Sequence, residues 1–241
     1  MRPHLGRLGR MLKNENCLLT MQGIEPNSID LVVTSPPYDN LREYTGYSFQ
    51  FELVAMELLR VLKPGGVVIW VVGDATGSGS ESGTSFKQAL FFKEVGFNLH
   101  DTMIYQKQNY TPLTHNRYEQ SFEYMFCFSK GKPKTFNPIR VPCKNAGKLE
   151  KYGGDRRPTF GKNHAMRQYE AVKETNSDKI APNIFCYSCG ASKTGHPAPF
   201  PEQLATDQIL TWSNEGDLVY DPFMGSGTVA KACILNKRQW L

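Results

Sequence analysis

Leu31-Val32-Val33-Thr34-Ser35-Pro36-Pro37-Tyr38 sets an apolar, largely β-branched run against two consecutive prolines. The run reads as a buried strand. The prolines forbid its continuation as strand or helix. A hydroxyl, a backbone carbonyl and an aromatic ring are thus held at a strand's carboxyl end, where ligands sit in open α/β sheets. The Ser35 oxygen and the Pro36 carbonyl both accept hydrogen bonds, so together they can grip an NH2 group. Tyr38 offers a ring face for stacking a flat heterocycle. Two acceptors draw the hydrogens of an exocyclic amine out of the ring plane and free its lone pair. They also stabilise the positive charge that grows as the amine attacks.

Working outward, a second strand-and-turn lies near the other end of the chain, in Gly216-Asp217-Leu218-Val219-Tyr220-Asp221-Pro222-Phe223-Met224-Gly225-Ser226-Gly227-Thr228. Leu218 to Tyr220 reads as a short strand. Gly225 and Gly227 permit close approach of backbone to a ligand, and Thr228 onward reads as a helix. A glycine-rich turn from strand to helix suits a nucleotide-like cofactor.

Together the two motifs resemble the S-adenosylmethionine-dependent amino-methyltransferases of DNA. Thr34-Ser35-Pro36-Pro37-Tyr38 is similar to their catalytic motif, and Asp221-Pro222-Phe223-Met224-Gly225-Ser226-Gly227-Thr228 to their cofactor loop. The catalytic motif comes first, the permuted order of the β group. Leu59-Arg60-Val61-Leu62-Lys63-Pro64-Gly65-Gly66 resembles the fold's helix and glycine stop. The stretch from Arg117 to Lys132 resembles its terminal hairpin, and His196 to Glu202 the segment packed on the cofactor before the glycine loop. The resemblance implies a Rossmann-like α/β sheet in permuted order with an inserted target-recognition region. The expected division is a catalytic part over 1–132, the insertion over 133–185 and a cofactor part over 186–241. It implies S-adenosyl-L-methionine as cofactor, with Asn16, His196, Phe200, Asp221, Phe223, Gly225, Ser226, Gly227 and Thr228 around it. Ser35, Pro36, Pro37 and Tyr38 are then catalytic. Asn16 has a second reading as a helix cap.

Charge points the same way. From Lys130 to Lys173 twelve Lys or Arg stand against Glu150, Asp155 and Glu170, within a chain of net charge +5. Tyr152, Phe160, His164 and Tyr169 are interleaved. Phosphate contacts plus base readout need such a segment. On composition a solvated, partly disordered loop is the other reading; because the segment falls where the family carries its target-recognition region, the resemblance implies double-stranded DNA as the partner, contacted by Arg117, Lys144, Lys148, Arg156, Arg157, Lys162 and Arg167. Whether a cognate restriction endonuclease is a further partner stays open, as does the choice between monomer and homodimer.

A length of 241 residues suits one α/β domain with an insertion. No apolar run approaches the roughly 18 residues of a membrane span, and the basic stretch 1–10 lacks the apolar core of a secretion signal. The expectation is a reduced, cytoplasmic protein. Of six cysteines, Cys17, Cys127, Cys143 and Cys233 read as buried small hydrophobes. Cys186 and Cys189 have metal-like spacing without a second pair, so no metal is expected. Pro142-Cys143 lies inside the basic insertion, away from any strand end beside a cofactor loop, which argues against C5 chemistry on cytosine.

Further expectations are helices near 17–22, 49–62, 85–95 and 201–212, and strands near 29–34, 67–72, 98–106 and 122–129, the last two forming an antiparallel edge. The glycine-rich run 73–83 reads as a mobile loop on the catalytic side. The chain ends fourteen residues past Gly227, short of the interval of about twenty at which nucleotide-binding folds place an acid for the ribose. The ribose-binding strand end is therefore expected to be missing. The expected reaction is methyl transfer to the exocyclic amine of a flipped base. Ser35 in the motif's first position favours cytosine N4, with adenine N6 as the alternative and a truncated, non-catalytic DNA-binding remnant as a second one. RNA relatives usually carry the reverse motif order.

Overall fold

The structure is a computed structural model that describes residues 11–37, 49–110, 116–152, 171–188 and 200–241. Tyr38, the loop 39–48, Arg156, Arg157, Lys162, Arg167, Cys189 and His196 lie outside the described residues.

In chain order, α1 (Cys17–Gln22) leads into β1 (Ile29–Thr34), and α2 (Phe51–Val61) into β2 (Leu62–Val72). A ribbon of β3 (Thr76–Gly77) and β4 (Ser80–Glu81) precedes α3 (Thr84–Glu94) and the hairpin β5 (Asn98–Lys107) and β6 (Phe122–Ser129). Four short strands follow, β7 (Arg140–Pro142), β8 (Leu149–Tyr152), β9 (Ala171–Glu174) and β10 (Asp178–Ile180). The chain continues through β11 (Ile184–Tyr187), α4 (Glu202–Trp212), β12 (Leu218–Tyr220), α5 (Thr228–Leu235) and β13 (Gln239–Trp240). Residues Pro138–Pro182 form a compact unit of their own, in which β7 pairs with β10 and β8 with β9, both antiparallel.

The larger unit is built on a seven-stranded sheet in the order β11-β5-β6-β2-β1-β12-β13. Only β6 is reversed, pairing antiparallel with β2 and β5. The carboxyl ends of the other six strands therefore share one edge of the sheet. Alternation along the strands explains the layers. Val32, Val68, Trp70 and Phe128 face one side, where they pack with Val54, Ala55 and Leu58 of α2 and Phe92 of α3. Leu31, Val33, Val67, Ile69 and Met125 face the other and pack with Leu204, Ala205 and Ile209 of α4 and Cys233 of α5. A strand covered on both faces needs the continuous apolar run that β1 has.

The structure alters several boundaries. β2 starts at Leu62, because Leu62 pairs with Ile29 before the register jumps to Leu31 opposite Val67. Lys63-Pro64-Gly65-Gly66 is accommodated as an irregularity within the strand. Gly65 has φ +80°, and a Cβ there would lie 2.9 Å from the Lys134 Cβ, so a side chain is excluded on both counts. The hairpin β5–β6 is antiparallel as expected, but β11 pairs outside β5 and takes the edge. The glycine-rich run is partly ordered as the β3–β4 ribbon. It is anchored by the buried Asp74, which accepts from the Ser85 N–H at 2.9 Å, from Ser82 Oγ at 3.1 Å and from Ser85 Oγ. Cys143 is half-buried, whereas Cys17, Cys127 and Cys233 are buried. Among the described residues no helix is long and apolar enough to cross a membrane.

Candidate active site

β1 and β12 are parallel neighbours, with Leu31 opposite Val219 and Val32 opposite Tyr220. The chain leaves β1 toward β2 on one side and leaves β12 toward β13 on the other. This is a topological switch point, where the two departing connections open a crevice at the carboxyl ends. Ser35-Pro36-Pro37 leaves the sheet on one lip, and Asp221-Pro222-Phe223 on the other. Residues 187 apart in sequence are thereby joined: Thr34 Oγ1 donates to Asp221 Oδ1 at 2.7 Å.

Asp221 also accepts from the Phe223 N–H at 3.0 Å. Burial pushes its carboxyl up to about 6, against the lowering effect of these two hydrogen bonds. Among the described residues no Lys, Arg or His pairs with it. A carboxylate enclosed without a cation is costly, and a cationic ligand would relieve that cost. Asp221 stands in the wall of a cleft of ≈ 390 Å³, measured with its open mouth. Met11, Leu12, Met224 and Leu241 give that cleft apolar surface, while Glu15, Lys13 and Thr20 give it polar surface. The Met11 N–H donates to the Trp240 carbonyl at 3.3 Å, which fastens the amino-terminal wall to β13.

Ser35 is half-buried and Pro36 buried at the end of β1. Gly225 and Gly227 adopt φ +51° and +81°, and Gly227 occupies the position before the first residue of α5. Ser226 and Thr228 hydroxyls lie 3.3 Å apart in this turn. Other expected residues make contacts of their own within the fold. Asn16 caps α1, its Oδ1 accepting from the Leu18 N–H at 2.9 Å. The Phe223 ring packs edge-on against Phe49 at 5.4 Å and Trp70 at 6.3 Å. Phe200 packs against the core on the α4 side. Arg117 is held near the β3–β4 ribbon, donating to the Gly79 carbonyl with Glu81 at 3.9 Å. Lys144 and Lys148 are exposed in the smaller unit.

Thr34, Glu15 and Met11 stand at this crevice although the sequence reading did not single them out as candidate site residues. The available signal for Thr34 was a hydroxyl in an otherwise apolar buried run, since such a group needs a partner. No comparable signal marks Met11 or Glu15, which reach the cleft only through the pairing of the sheet.

Known proteins resemble this chain in sequence and in fold. Residues 29–241 match the N6_N4_Mtase family, described as DNA methylase. The orphan methyltransferase M.BamHII of Bacillus amyloliquefaciens is 54% identical over 224 residues, covering 89% of this chain and 83% of that protein. The type II methyltransferase M.HpaI of Haemophilus parainfluenzae is 28% identical, covering 90% of this chain and 64% of that protein. The PvuII cytosine-N4-specific DNA methyltransferase superposes with a TM-score of 0.66 at 21% identity, covering 94% of this chain and 78% of that one. The M1.HpyAVI–SAM complex gives 0.61 at 23% identity, with 95% and 90% covered. The two superpositions show a shared Rossmann-like methyltransferase fold. With the family match extending from β1 to the last described residue, the chain belongs to the N6/N4 family of DNA methylases.

Proposed function

We propose that this chain transfers a methyl group from S-adenosyl-L-methionine to the exocyclic amine of a base in double-stranded DNA, with cytosine N4 as the target. The observation that carries the reading is the parallel pairing of β1 with β12, which sets the Ser-Pro-Pro turn beside the Asp-Pro-Phe-Met-Gly-Ser-Gly turn at one crevice.

The cleft suits the cofactor's chemistry. Asp221 is a carboxyl without a cationic partner among the described residues, and Met11, Leu12, Met224 and Leu241 offer apolar surface to a flat ring. Asp221 and Glu15 would hold cationic and hydroxyl groups, and the backbone of Gly225, Ser226 and Gly227 would line the approach. S-adenosylmethionine, when bound, supplies an electrophilic methyl group on a sulfonium. The chain's own residues do the rest. A base flipped out of the stack meets the Ser35 oxygen and the Pro36 carbonyl, which accept hydrogen bonds from its NH2 and stabilise the charge that develops on nitrogen. Tyr38 stacks on the base. Lys144, Lys148 and the basic residues of 153–170 contact phosphates. Ser35 favours cytosine on the family resemblance. A cognate restriction endonuclease, cutting the sequence protected here, belongs to the same proposal.

Incubation with S-adenosylmethionine and mixed-sequence duplex DNA, followed by mass spectrometry of nucleosides, is expected to yield N4-methylcytosine. N6-methyladenine would overturn the base assignment, and unmodified DNA from folded protein would overturn the activity. Ser35→Ala is expected to lower single-turnover rates by about 10²-fold or more while leaving DNA affinity within a few-fold. Equal loss of both would place the amine grip elsewhere.

A further inference from the structure

The last β1–β12 backbone pair is Val32 with Tyr220. Beyond it the two strands part toward their separate turns. A side-chain bond crosses the gap. Thr34, only 1% exposed, donates Oγ1–H to Asp221 Oδ1 at 2.7 Å. The same oxygen accepts from the Phe223 N–H at 3.0 Å. An oxygen held from two directions fixes the carboxyl's rotation. The two donors belong to the two turns, Thr34 immediately before Ser35 and Phe223 within the cofactor-side turn.

We propose that Thr34 is a positioning residue whose hydroxyl, through Asp221, sets the separation between the amine-gripping Ser35-Pro36 pair and the glycine turn. The inference rests on the methyl-transfer reading above. Transfer between two bound groups is sensitive to small misplacement, and a shift of about 1 Å can cost about 10²-fold in rate. Two turns on adjacent strands that have ceased to pair can move apart unless something spans them. Val at position 34 would preserve the β-branched shape and remove the donor. The other groups facing Asp221 are Tyr220 beside it, Cys233 on α5, and Lys13, Glu15 and Cys17 at the cleft.

The test compares Thr34→Val with Thr34→Ser in the full chain, with thermal unfolding as a control for folding. Thr34→Val is expected to lower kcat by about 10- to 100-fold, with KM for DNA within about threefold. Thr34→Ser is expected to restore kcat to within about threefold of wild type. Carbon-13 NMR of the Asp221 carboxyl, read without turnover, is expected to show a higher titration midpoint in Thr34→Val and an unshifted one in Thr34→Ser. An unchanged kcat in Thr34→Val overturns the proposal. So does a Thr34→Ser variant as slow as Thr34→Val, because a hydroxyl at position 34 would then not be enough to set the rate. An unmoved midpoint overturns it too, whatever the rates. A wild-type control that forms no methylated base overturns the reading of function itself, and that failure is visible before any variant is compared.

Discussion

Asp221 is a carboxyl held in a desolvated place at the crevice. Its carboxyl is raised from 3.8 to about 6 by burial, although Thr34 and Phe223 both donate to it. A raised carboxyl binds its proton more tightly in the folded chain than in the unfolded one. Its contribution therefore favours folding most at low pH and weakens as pH rises from about 4 to about 6, with no further change above. At neutral pH the shift corresponds to at most about 3 kcal/mol of lost stability. Asp221→Asn keeps an oxygen for both donors and removes the charge. It is expected to raise stability by about 1–2 kcal/mol in urea unfolding at pH 8, and to match wild type near pH 4. Calorimetry should show weaker S-adenosylmethionine binding in the same variant, the usual cost of relieving strain at a working site. A variant no more stable than wild type at pH 8 would remove the argument that this carboxylate is held at a cost.

At the scale of elements, glycines decide two junctions for different reasons. Gly65 has φ +80° and a crowded Cβ position, 2.9 Å from the Lys134 Cβ. Gly227 has φ +81° with nothing within 4 Å of a built Cβ. Gly65→Ala thus adds a steric clash to backbone strain, whereas Gly227→Ala adds strain alone, of order 1–2 kcal/mol. Urea midpoints should fall further for Gly65→Ala. Cofactor affinity should fall further for Gly227→Ala, because that residue shapes the turn before α5. The reverse order in either measurement would contradict this division. The same junctions show what local reading achieves. Helix α2 was legible because Val54, Ala55, Leu58 and Val61 recur on one face, and its end just ahead of Lys63-Pro64-Gly65-Gly66 was legible from the residues that break helices. The strand pairing of Leu62 was not, because a neighbouring strand supplies it.

For the molecule as a whole, charge is divided along the chain. The region 130–173 is strongly basic within a chain of only +5, and Lys144 and Lys148 are exposed there. If they contact phosphates, each contributes one released counterion. Lys144→Ala and Lys148→Ala should each lower the slope of log affinity against log salt by about 1. Their effect should be similar on specific and nonspecific DNA. Unchanged slopes would remove them from the interface. Arg117 is a different case, because its guanidinium already bonds the Gly79 carbonyl near Glu81.

Sequence alone determined β1, β12 and the chemistry of their ends. The apolar run Leu31–Val33 cut by Pro36 and Pro37, and the strand Leu218–Tyr220 followed by Gly225 and Gly227, are short-range signals. Each rests on covalent restrictions that hold wherever the segment lies. Tertiary structure decided which ends meet. The pairing of β1 with β12, the 2.7 Å bond from Thr34 to Asp221, the place of β11 outside β5, and the arrival of Met11 and Glu15 at the cleft depend on sheet order. Sheet order is set by which buried faces fit together across the whole core, and no local window of sequence carries that information. Asn16 illustrates the boundary: both a cap and a ligand contact were compatible with its side chain, and the start of α1 takes up its Oδ1 through the Leu18 N–H while its NH2 remains a separate donor.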